Sequence, residues 1–115
     1  AYYLSLRKLA LEKAADYSMR SIALEPKSST YQDTYAWVMF QQGNYTEALK
    51  WIEKALKNSP VTSVTLIEHY GDILSQLGKT KEALKQWQKA LTLADISEKD
   101  KLKIQEKIKE KKYVE

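Results

Sequence analysis

The sequence predicts an all-α fold, a stack of antiparallel helix pairs built from one repeated unit and closed by a terminal helix. Three observations predict it. Of 115 residues, 30% are charged, with only three glycines and two prolines; that composition is rich in helix formers and too apolar for a disordered chain. The stretch "EALKWIEKAL" at 47–56 returns as "EALKQWQKAL" at 82–91. Apolar residues recur three and four apart through both copies, the period of a helix face.

The duplication is longer than those ten residues. At an offset of 35, Thr30, Tyr35, Gln41, Gly43, Glu47, Ala48, Leu49, Lys50, Lys54, Ala55 and Leu56 match identical residues at 65, 70, 76, 78, 82, 83, 84, 85, 89, 90 and 91. A period of that length marks a solenoid, in which no single unit buries its apolar face and stacking is obligatory.

Taken in order, 11–26 ("LEKAADYSMRSIALEP") reads as the second helix of a partial unit spanning 1–28, with Ala14, Ile22, Leu24 and Pro26 in register. Ser18 and Ser21 fill packing positions poorly. "AYYLSL" reads as the tail of that unit's first helix, joined through an "RKLA" loop. The second unit, 29–62, opens at "STYQ" with Ser29 as cap and Gln32 reaching back; the third, 63–95, opens likewise at "TLIE". Tyr35, Val38 and Met39, then Tyr70, Ile73, Leu74 and Leu77, carry the apolar faces of the first helices. Gly43 and Gly78 end them. The second helices present Ala48, Ile52, Ala55 and Leu56, and Ala83, Trp87, Ala90 and Leu91; Pro60 closes the earlier one. Small alanines let helix axes approach while Tyr35, Ile52, Tyr70 and Trp87 fill the gaps. The capping helix, 96–115, opens at "SEKD" with Ser97 as cap and carries a thin stripe of Leu102, Ile104 and Ile108 among many charges.

These residues resemble the tetratricopeptide repeat. Its pattern is met by Tyr35, Ala36, Gly43, Tyr45, Ala48, Ile52, Ala55 and Pro60, and again by Ile67, Tyr70, Gly71, Gly78, Ala83, Trp87 and Ala90; Thr80 and Asp95 depart from it. The resemblance covers about residues 1–95. It implies a right-handed α-α superhelix and a protein–protein interaction scaffold that docks a partner segment in a concave groove, with no catalysis and no cofactor. The rival reading is a regulatory or assembly appendage of a larger protein. "DTYAW" and "EHYGD" also resemble bacterial exported or lipid-anchored repeat proteins, so an exported, periplasmic or outer-membrane-attached parent is an expectation by analogy alone.

Chemistry finds little support. There is no cysteine and one histidine, His69, beside Glu68 and one turn from Asp72; a metal site there is short of ligands, and a structural or exposed histidine is expected. No glycine-rich phosphate loop occurs. No apolar run approaches the roughly 18 residues a membrane-crossing helix needs. The net charge of +4 splits evenly: residues 96–115 hold seven lysines against five acids, the rest twelve basic residues against ten. Lysines interleaved with glutamates in "EKIKEKK" read as a solvated face, so no nucleic-acid partner is expected.

The resemblance places the partner-binding groove on the first helices, at Thr30, Asp33, Trp37, Phe40 and Gln41 in one unit and at Thr65, Glu68, Asp72, Ser75 and Gln76 in the next. Trp37 and Phe40 lie three apart and share a face, an aromatic anchor unless both pack against a neighbouring repeat. The family's clamp for a C-terminal carboxylate uses Lys, Asn and Arg on these faces, where this chain has acids. An apolar segment with a basic residue, accepted by Asp33, Glu68 and Asp72, is the expected partner. The chain starts at Ala1 rather than Met and is expected to be a fragment or processed form. Tyr2, Tyr3, Leu4 and Leu6 are then expected to meet an upstream repeat or a second copy.

Overall fold

The structure, a computed structural model, describes residues 2–113, with side chains from Leu6 onward. Among the described residues it holds six helices and no strand: α1 Tyr2–Leu24, α2 Ser29–Gln41, α3 Tyr45–Asn58, α4 Val64–Gln76, α5 Thr80–Leu91 and α6 Glu98–Glu110. The chain divides after Ser59 into two compact units. In the first, α2 packs on both α1 and α3; in the second, α5 packs on α4 and on α6. No described helix is long and apolar enough to cross a membrane.

The expected "RKLA" loop is absent, because α1 runs unbroken from Tyr2 to Leu24. Nothing in that stretch stops a helix: it contains no glycine or proline, and Arg, Lys, Leu and Ala are all strong helix formers. The face toward α2 carries buried Ser18 and Ile22 and half-buried Leu11, Ala14 and Ala15. Leu6, Leu9, Tyr17 and Leu24 stay exposed.

The first helices begin one or two residues earlier than the capping pattern implied. Ser28, not Ser29, caps α2, its Oγ accepting the N–H of Tyr31 at 3.3 Å. Ser63, not Thr65, caps α4 by accepting from Leu66. Ser97 caps α6 as read, accepting from Asp100 at 3.1 Å. A cap must hold extended backbone and place its oxygen under an amide three residues on, and all three serines meet both conditions. Gln32 does not reach back to its own helix start. Buried to 2% exposure, it donates to Pro26 O at 2.8 Å and accepts from Asn58 at 3.1 Å, tying the α1–α2 connection to the end of α3.

Gly43 and Gly78 both sit at φ +80° and end α2 and α4 alike. Asn44 N–H returns to Met39 O and Gly43 N–H to Phe40 O; Lys79 and Gly78 repeat this onto Leu74 and Ser75. That paired return satisfies the last carbonyls and needs a left-handed residue. Lys111 takes the same role after α6, at φ 57°.

In the first unit Ala36, Ala48, Ile52 and Ala55 are fully buried, with Met39 and Phe40 nearly so; in the second, Ile73, Ala83, Trp87, Ala90 and Ile104 are fully buried. The alanines expected to let helices approach are therefore core positions, as are Ile52 and Trp87, whereas Tyr35 and Tyr70, expected to fill the same gaps, are only half-buried.

Candidate interaction site

Glu68, Asp72 and Ser75 occupy successive turns of α4 and so share one face. Behind them, Trp87 of α5 presses its indole against the α4 backbone at Gly71: a Cβ at that position would stand 2.4 Å from Trp87 Nε1. The close approach delivers the indole N–H to Asp72 Oδ1 at 3.1 Å. Asp72 is thereby oriented from within the unit, at 1% exposure.

The C-terminal segment covers this face. Lys107 of α6 brings its Nζ to 2.6 Å from Glu68 Oε2, 2.9 Å from Asp72 Oδ1 and 3.1 Å from Asp72 Oδ2. Its side chain is 3% exposed, against 2% for Asp72 and 12% for Glu68. Ser75 Oγ accepts the backbone N–H of Tyr113 at 2.8 Å, and the Tyr113 ring stands 5.3 Å from Lys107 Nζ. Burial pushes the Asp72 carboxyl up to about 6. The Lys107 charge and hydrogen bond oppose that rise, Glu68 adds to it, and His69 lowers it slightly. Three of the five residues assigned to this face thus meet partners from the chain's own C-terminus, while Thr65 and Gln76 remain exposed.

Lys107 was not visible as a site residue. In the sequence it is one lysine in a run alternating with glutamate, and its only mark is its place three residues after Ile104, on the same helix face. Among the described residues, no group of three or more His, Asp and Glu could hold a metal ion, and no buried side-chain polar atom lacks a hydrogen-bond partner.

The corresponding face of α2 has different chemistry. Trp37 and Phe40 stack with ring centroids 4.5 Å apart and planes 9° from parallel, and Phe40 also meets Tyr45 at 5.4 Å. Phe40 is buried, Trp37 and Asp33 are half-buried, and Thr30 is exposed. Gln41 accepts from Arg7 Nη2 of α1 at 2.8 Å. The two side chains border an open cleft of about 640 Å³ whose wall also includes Lys8, Leu11, Glu12 and Gln42. Of the residues proposed for self-association, the side chains of Tyr2, Tyr3 and Leu4 lie outside the described residues, and Leu6 is exposed.

Known proteins share this fold. The family model described as "Anaphase-promoting complex, cyclosome, subunit 3" matches residues 8–95. No curated protein matches significantly. Among solved structures, the Arabidopsis OM64 tetratricopeptide repeat domain superposes with a TM-score of 0.76 at 18% identity, covering 94% of this chain and 88% of that one. The second such domain of human RPAP3, solved in complex with an HSP70 peptide, gives 0.74 at 21% identity, covering 90% and 85%. YrrB, described as a protein of this repeat type with an unusual peptide-binding site, gives 0.67 at 26% identity; 81% of this chain is covered but only 47% of YrrB.

Proposed function

The chain belongs to the tetratricopeptide repeat family, and from that premise we propose that it is a protein–protein interaction scaffold that docks a partner segment on the face of α2. The observation that carries this reading is the Trp37–Phe40 stack. Phe40 is buried and holds the half-buried Trp37 flat against it, so the indole is ordered before any partner arrives. A preordered aromatic loses little entropy on binding, and such residues dominate interface energetics.

The partner chemistry follows from the charges. The RPAP3 domain is solved with the peptide SGPTIEEVD, which ends in acidic residues. Here Asp33 stands on the α2 face, where a clamp for such a tail requires a cation. We therefore assign the α2 face to an apolar segment bearing a lysine or arginine.

A peptide library selected on the intact chain tests this. Enriched sequences should pair aliphatic residues with a basic one, and Trp37→Ala should weaken them about tenfold or more, the scale of an interface hot spot. Selection of acidic C-termini, or indifference to Trp37→Ala, overturns the assignment.

A further inference from the structure

We propose that residues 97–113 are an intramolecular ligand of the α4 face, and that a partner segment with a lysine or arginine one turn after an aliphatic residue competes for the same place. This rests on the interaction-scaffold reading and extends it to a second surface with its own occupant.

The α4 face has the form of a receptor for a single ammonium group. Two carboxylates converge on one Nζ within 3.1 Å. One of them, Asp72, is held by the Trp87 indole N–H, an interaction that does not involve α6. The acceptor is therefore built by α4 and α5, and Lys107 fills it. Ser75, one turn further, takes the Tyr113 amide, so the segment is gripped at both ends along one helix face.

The grip is narrow. Of the thirteen residues of α6 only Ile104 and Lys107 are buried; Ile108 is half-buried, and Leu102 is 64% exposed. A buried ion pair gains little net energy once desolvation of both charges is counted. One buried isoleucine and a few hydrogen bonds must then offset the ordering of a whole helix. Such a segment lies at the low-stability end of local opening, from which exchange with a partner is accessible.

The test uses the intact chain and a fluorescent peptide of residues 97–113. Wild type should bind the peptide weakly, because α6 competes in cis. Ile104→Asp, which drives α6 off, should raise affinity at least tenfold, and a peptide carrying Lys107→Glu should lose that gain. Hydrogen exchange on wild type should show the α6 amides opening ahead of those of α4 and α5. Equal protection of the three helices overturns the proposal, as does a folded Ile104→Asp chain with no gain in affinity. If Ile104→Asp does not fold, hydrogen exchange alone decides. A negative result here, with Trp37-dependent library binding intact, leaves the scaffold reading standing. The reverse pattern removes the α2 assignment and keeps this one.

Discussion

Gly71→Ala should destabilise this protein although alanine is the better helix former. The added methyl would lie 2.4 Å from Trp87 Nε1, 2.5 Å from Cδ1 and 3.1 Å from Cε2. Ordinary carbon contacts are about 3.5–4.0 Å, so the indole must retreat by about 1 Å. Trp87 has no exposed surface, so its retreat must displace neighbouring core atoms. Overpacking of this kind costs about 1–3 kcal/mol. The retreat also pulls Nε1 away from Asp72, at about 1 kcal/mol for the hydrogen bond. Replacing a mid-helix glycine returns up to about 1 kcal/mol. The net loss is about 1–3 kcal/mol, which for a chain of this length lowers Tm by ~4–12 °C. Urea denaturation and thermal melts followed by circular dichroism measure it. The decisive control is a double-mutant cycle with Trp87→Leu, in whose background Gly71→Ala should be neutral or stabilising, with a coupling of about 1 kcal/mol or more. A Gly71→Ala variant as stable as wild type, or strict additivity, refutes the reasoning.

Three further outcomes are expected. Asp72 titrates near 6 in the folded chain, above its usual 3.8. The raised value means that its contribution is fully present below pH ~4 and is lost as pH rises through ~6, by roughly 3 kcal/mol across the window. The wild-type advantage over Asp72→Asn in urea should therefore shrink between pH 4 and 6.5, with burial setting the midpoint first and the charges of Lys107, Glu68 and His69 adjusting it; a constant difference contradicts this. Ser63→Ala, which strips the α4 cap, should cost about 1 kcal/mol in the same assay, whereas Ser29→Ala, one residue past the true cap of α2, should cost less than Ser28→Ala. Gly43→Ala forces a side chain into φ +80° with nothing near it to clash, so its cost is pure backbone strain, about 1–2 kcal/mol in thermal melts.

Much of the fold was legible because its signals are local. The offset repeat located α2 through α5, and the glycines at 43 and 78 marked helix ends whose left-handed backbone admits few other residues. Ser97 announced α6. Boundaries set by a choice among neighbours were less legible. Ser28 and Ser29 are chemically equal, and which one caps depends on where the loop from Pro26 delivers the chain, a matter Gln32 helps decide by binding Pro26 O and Asn58 together. The "RKLA" segment is helix rather than the expected loop because its own propensity, helical throughout, outweighs its place in the repeat pattern.

The site divides the same way. That Trp37 and Phe40 share a face is a matter of spacing; that they stack 9° from parallel, with Phe40 buried, is not. Gly71 and Trp87 both fit the repeat pattern, yet the contact that explains each is made between helices, by residues sixteen positions apart in sequence. Most removed from the sequence is Lys107. Thirty-five residues beyond Asp72, it becomes part of the site only because α6 folds back on its unit. What the sequence alone determined is the periodic part of this protein: helix faces, caps and the small-and-large alternation, all consequences of spacing along one chain. The tertiary structure decided which of the surface charges cease to be surface, because burial and pairing depend on distances between segments that no local pattern encodes.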